Sequence, residues 1–203
     1  MKENAKSSLP GIPTLLGLLV LALGVAALFL NGAAHKQPVP MVVAALLGFV
    51  VMFLMAGLYK LEPNQSAVLS LFGKYVGTVK DNGLRWNNPF FSKRKVSLRI
   101  RNFESSRLKV NELDGSPIEI AAVIVWQVVD SAEAVFNVDD YESFVHIQSE
   151  AALRAMASSY PYDQHEEGQI ALRSHPQEIS QHLQEQIAER LGNNVVDFEG
   201  LSK

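Results

Sequence analysis

Two long stretches of this chain have no polar face. Ile12 to Leu30 and Val39 to Leu58 carry no charged side chain, and Thr14 is the one hydroxyl among them. A helix that crosses about 30 Å of hydrocarbon needs about 20 apolar residues, and both stretches have that length. A core helix of a soluble protein would turn polar residues outward on one side. Between the stretches, Asn31-Gly32-Ala33-Ala34-His35-Lys36-Gln37-Pro38 is polar and holds a turn-former and a breaker. The pattern predicts a transmembrane helical hairpin, with spans at 12–30 and 39–58 behind a tail of residues 1–11.

Past the second stretch the pattern becomes that of a globular domain. Tyr59-Lys60-Leu61-Glu62-Pro63-Asn64-Gln65 reads as a short linker, which at about 3.3 Å per residue keeps the domain near the lipid. Ser66 to Phe72 and Lys74 to Lys80 read as paired strands, closed by a turn at Asp81-Asn82-Gly83. Val96, Leu98 and Ile100 alternate with Lys95, Ser97, Arg99 and Arg101, the period of a strand with one dry face. Pro117 to Val129 predicts one long strand. Ile118, Ile120, Ala122, Ile124, Trp126 and Val128 share one face, and Ala121, Val123, Val125 and Val129 make the other apolar too, so both faces are expected to be covered.

Helical spacing takes over after Asp130. A short helix fits Ser131 to Phe136, and a longer one fits Tyr141 to Tyr160, stopped by Pro161. A third starts with Pro176 in its first turn, repeats Ile179, Leu183, Ile187 and Leu191 every four residues, and ends at Gly192. Val195 to Phe198 fits a last short strand. Strands followed by helices give an α+β domain over residues 62–199.

Composition sharpens this picture in three ways. The chain is 48% hydrophobic and 19% charged, below the roughly 25% charge of ordinary soluble domains. The deficit lies in the apolar quarter, where Lys36 is the only charged residue between Ile12 and Leu58. A net charge of -3 gives no footprint for nucleic acid, and no nucleic-acid partner is expected. The absence of cysteine excludes disulfides, thiolate metal sites and cysteine nucleophiles.

Lysines set the expected orientation. Lys2, Lys6, Lys60 and Lys74 flank the two outer ends of the hairpin, against Lys36 in its loop, which points both ends to the cytoplasm of a cell-membrane protein. A rival reading takes Lys2, Lys6 and Gly32-Ala33-Ala34 as a cleaved secretory signal, but its apolar core exceeds the usual 7–15 residues. Ala22 with Ala26, and Ala44 with Gly48, stand four apart and would let helices approach closely.

Five motifs then occur in a recognisable order. They are Gly83-Leu84-Arg85-Trp86-Asn87-Asn88-Pro89-Phe90, Asp114-Gly115-Ser116-Pro117-Ile118 with Val125-Trp126-Gln127-Val128, Val138-Asp139-Asp140-Tyr141, Gln148-Ser149-Glu150-Ala151-Ala152-Leu153-Arg154, and Tyr160-Pro161-Tyr162-Asp163. From about Glu62 to Phe198 the chain resembles the stomatin/prohibitin/flotillin (SPFH, Band 7) domain. The resemblance implies a domain of antiparallel-rich sheet plus helices. It implies a membrane-anchored homo-oligomeric scaffold that organises microdomains and regulates neighbours such as membrane proteases or channels. The runner-up is a one-to-one regulatory subunit of a membrane protease or transporter. Many relatives have a single anchor or a re-entrant loop, and relatives continue into a long coiled coil that closes the oligomer. Here no heptads occur between the domain and Lys203.

No residues assemble into a catalytic centre, and no cofactor or metal is expected. His165-Glu166-Glu167-Gly168-Gln169 lacks the second histidine of a zinc helix, and His175 and His182 have no carboxylate cluster about them. Ser149 lacks a nucleophile elbow. Glu150 and Arg154, four apart, suit a helix ion pair. The candidate sites are contact surfaces. Trp86, Phe90 and Phe91 beside Lys93, Arg94 and Lys95 suit a membrane interface, where rings lie at headgroup depth and cations meet anionic lipid. Ile179, Leu183, Ile187 and Leu191 form the candidate oligomer contact.

Overall fold

The computed structural model describes residues 3–164, 168–191 and 196–197. They form two compact units, residues 3–97 and residues from 98 onward.

The first unit contains the helical hairpin. A two-residue strand, β1 (Leu9–Pro10), leads into α1 (Gly11–Ala34), and α2 (Pro38–Met55) returns beside it. Pro38 lies in the first turn of α2, where its missing N–H costs nothing. Helix α1 has 24 residues, about 36 Å at 1.5 Å per residue. Ala44 and Val51 are buried in the helix–helix seam, and Gly48 meets Val25 there. The remaining sides of both helices leave Leu16, Val20, Leu23, Leu30, Val42, Leu46, Phe49 and Met52 exposed. Both helices are therefore long and apolar enough to cross a membrane.

Five strands continue the unit in an up-and-down course. β2 (Leu58–Leu61) leaves the end of α2, β3 (Gln65–Leu71) returns, β4 (Lys74–Val79) leaves, β5 (Gly83–Trp86) returns and β6 (Ser92–Ser97) leaves. They make two three-stranded antiparallel sheets, in the orders β1-β5-β2 and β4-β3-β6. Leu61, Ala67, Leu69 and Val79 are the buried core here, with Tyr59, Val76 and Phe91 against them. The segment read as a linker is thus half strand, because Leu58 to Leu61 pairs with Trp86 to Gly83. The tail also belongs to the fold. Leu9 pairs with Trp86, and Asn4 and Lys6 exchange backbone hydrogen bonds with Thr78.

The second unit holds β7 (Arg101–Glu104), β8 (Leu108–Asn111), β9 (Pro117–Ile120), β10 (Val123–Val128), α3 (Ser131–Phe136), α4 (Tyr141–Ser159), α5 (Pro176–Leu191) and β11 (Val196–Asp197). Strand β10 lies between β7 and β11, and β8 pairs with β9. Asp130 and Asp140 cap α3 and α4 by accepting from two backbone N–H groups each. The core joins Leu108 and Val110 of β8 to Leu153, Met156 and Ala157 of α4 and Ile179 of α5.

Three expectations are corrected. The alternation through Ile100 stops at Ser97, where β6 ends and the units divide; Ile100 is exposed. The long strand from Pro117 breaks at Ala121-Ala122, because Ser105 claims Ala122: its N–H donates to the Ala122 carbonyl and its Oγ accepts from the Ala122 N–H. Its second face is not covered, since Val123 and Val129 are exposed. Of the last short strand, Val195 and Phe198 lie outside the described residues.

Candidate functional site

The predicted aromatic and basic segment gathers at the foot of α2. The last carbonyls of a helix have no partner within it, and here β5 and β6 supply partners. The Trp86 indole N–H donates to the Leu54 carbonyl at 2.8 Å. The Lys93 ammonium lies 3.4 Å from the Ala56 carbonyl and 3.5 Å from that of Gly57. A cation at a helix C-terminus is favourable, and α2 has no basic residue of its own in its last turn. Burial pushes the Lys93 ammonium below its ordinary pKa. Its charge lies 5.3 Å from the centre of the Tyr59 ring.

Gly57 makes this contact possible. A Cβ there would stand 2.3 Å from the Asn87 carbonyl oxygen and 2.6 Å from the Trp86 indole nitrogen. Asn87 N–H donates to the Gly57 carbonyl, and its side-chain amide donates to the Tyr59 hydroxyl at 2.8 Å. Burial raises the Tyr59 pKa, partly opposed by the hydrogen bond from Asn87. Gly11 plays the same part on the other helix, where a Cβ would collide with Leu84.

The six interface candidates divide by what they touch. Trp86 is half-buried in the joint. Phe90 is 59% exposed, with its ring 5.0 Å from that of Phe53 on α2. Phe91 turns inward onto the sheet core and carries the Lys6 ammonium at 4.7 Å. Lys93 is half-buried, and Arg94 and Lys95 are exposed on β6. Arg101, from the same basic run, lies in the second unit, bonded to Glu142 with its guanidinium over Trp126 and Tyr141.

The expected oligomer-contact stripe, Ile179, Leu183, Ile187 and Leu191, runs along α5. Ile179, Ile187 and Leu191 are buried, and Leu183 packs half-buried on the core that includes Ile179. Burial within the unit accounts for the spacing of four along this helix. Gln181, Gln184, Glu185 and Glu189 are among the exposed positions of α5.

The polar residues of the second unit serve structure. Glu150 accepts from the Ser106 N–H and hydroxyl at 3.1 and 2.6 Å, and these bonds lower its pKa, with Arg154 only a minor contributor. The expected Glu150–Arg154 pair is thereby displaced by a cap between elements. Buried Glu112 accepts from the N–H groups of Ser116 and Tyr162. Burial pushes its carboxyl up, but the backbone donors of Asp114, Ser116 and Tyr162 outweigh this and leave it below the usual range. His175 accepts from the Ala171 N–H, and His182 bonds the Tyr160 hydroxyl. His165 lies outside the described residues. Among the described residues no three His, Asp or Glu side chains gather as metal ligands.

Gly57, Tyr59 and the tail were not singled out from the sequence. A glycine at the end of an apolar run has no local signature, because the need for it comes from Trp86, far along the chain. No curated protein matches this chain. The model of the SPFH domain / Band 7 family matches residues 59–202, most of the chain, and the chain belongs to that family.

Proposed function

We propose that this protein is a membrane-anchored scaffold whose hairpin crosses the cell membrane and holds the SPFH domain at the cytoplasmic face. Family membership supports the general role, organising membrane patches as a scaffold. The observation that carries the anchored reading is the joint at Leu54, Gly57 and Trp86. Two helices with apolar side chains exposed on nearly every side are welded there to the sheets of the family domain.

The tail strand supports a two-span topology. β1 precedes α1, β5 comes after α2, and they pair. If only one of the two helices crossed, these strands would lie on opposite sides of the bilayer. The same pairing favours retention of residues 3–34 over their removal as a signal, since cleavage would strip β1 from its sheet. Lys2, Lys6, Lys60 and Lys74 against Lys36 favour the cytoplasmic side.

In this reading Trp86, Phe90, Lys93, Arg94 and Lys95 lie against anionic headgroups, with Phe91 fixing the loop from within. The chain acts as a homo-oligomer beside membrane protease or channel clients. The test is a reporter fused after Lys203, expected to be active only in the cytoplasm, with the protein retained in membranes at alkaline pH. A mature protein beginning near His35 with an external reporter overturns the topology. A single-copy size in gentle detergent, with no crosslinked ladder in membranes, overturns the oligomer and favours the one-to-one regulatory subunit.

A further inference from the structure

The turn between β3 and β4 carries an aromatic residue that the fold does not use. Phe72 is 90% exposed, the most exposed large hydrophobic side chain among the described residues. It also has a φ of +48, followed by Gly73 at +84. Leu71 pairs with Lys74 across these two residues, so they form the two-residue turn that needs left-handed backbone at both positions. Asparagine or glycine fits such a position with less strain than a bulky aromatic. Neither packing nor turn geometry therefore accounts for phenylalanine here.

Register shows which end of the unit the turn occupies. Ser70 pairs with Ser92 and Leu69 with Lys93. Continued two residues, the antiparallel course brings Phe72 level with Phe90. The Phe90 ring lies against Phe53, inside α2. Lys93, one residue past Ser92, reaches the last carbonyls of α2. The up-and-down course puts the Asp81 end of β4 at the opposite end of the strands. No acidic residue occurs from Gln65 to Lys80, and Lys74 comes directly after the turn.

We propose that the Phe72 turn is a second membrane contact, a hairpin tip whose ring enters the headgroup–acyl boundary beside Phe90 while Lys74 meets anionic headgroups. This rests on the reading of α1 and α2 as spans, and it adds a contact by the domain itself. An aromatic ring at interfacial depth is favoured there as it is not in water. Helix and tip together hold the first unit at two points, which restricts its tilt against the bilayer.

The native chain contains no cysteine, so single cysteines carry a polarity-sensitive probe without other changes. Phe72→Cys, Lys74→Cys, Asp81→Cys and Leu23→Cys are made in the full chain and placed in vesicles of phosphatidylcholine and phosphatidylglycerol. Quenchers are carried either on the lipid or in the water. The expected result is severalfold stronger lipid-borne quenching at position 72 than at 81, with 74 intermediate. Lys74→Cys leaves Phe72 in place, so the same ordering against 81 is read even if the position-72 variant misfolds.

Leu23 reports on the hairpin independently. Position 72 quenched only from the water, with position 23 quenched from lipid, overturns the tip contact and leaves the anchor standing. Position 72 shielded from both quenchers also overturns it, and assigns the ring to a protein neighbour. Position 23 open to water overturns the anchor and this proposal together.

Discussion

Leu23 on α1 and Leu153 on α4 are the same residue in long helices, yet one is 71% exposed and the other 1%. The difference lies in the company each sequence keeps. On α4 the buried positions Val145, Ala152, Leu153 and Met156 make one dry side, while Glu142, His146 and Arg154 take others. On α1 every side is apolar, and past its first turn, beyond the seam with α2, nothing among the described residues covers it. One helix is written for water on its outer side, the other makes no provision for water at all. Stability of the fold should therefore depend on Leu153, and location of the protein on Leu23.

Truncation tests that division most severely. Leu153→Ala should cost about 2–5 kcal/mol, the range for an emptied core leucine site, read as a lower unfolding midpoint of the full chain in mild detergent. Leu23→Ala should leave that midpoint unchanged. Equal effects would break the comparison. The converse substitution sharpens it: Leu23→Lys should disfavour insertion by about 2.5–3.5 kcal/mol, seen as loss of alkali-resistant protein from the membrane fraction.

The joint between hairpin and sheet should respond less. Gly57→Ala forces a methyl group into the Asn87 carbonyl and the Trp86 indole. Overpacking of this kind costs about 1–3 kcal/mol, and a red shift of tryptophan emission would report the displaced ring. A normal spectrum and midpoint would mean that the approach at Gly57 is slack.

The smallest effect belongs to Glu112, and it depends on pH. Its carboxyl is held below the usual range in the fold. Its contribution is therefore present above the unfolded carboxylate pKa of about 4.3, and it is lost as the pH falls through the folded value. Glu112→Gln should lower the unfolding midpoint at neutral pH, and the gap from the native chain should close on acidification below about pH 4. A gap that persists at low pH would assign the loss to packing.

Sequence alone determined the two apolar helices, the strand pair at Ser66 to Lys80, the three later helices and the family. Each rests on local spacing, a breaker such as Pro161, or a short motif. It also brought the aromatic and basic segment forward as one candidate surface. What it could not assign was the role of each residue there, because that depends on chain far away in sequence. Trp86 serves the carbonyl of Leu54, Phe91 faces inward and Phe90 outward, and the tail closes a sheet through Leu9 and Trp86. The α5 stripe shows the same limit from the other direction. A spacing of four establishes that one side of a helix is dry, but whether it is covered by its own unit or by a neighbour is a tertiary fact. Here the unit's own core covers Ile179 and packs against Leu183, because β8 and α4 turn Leu108, Val110 and Met156 toward them.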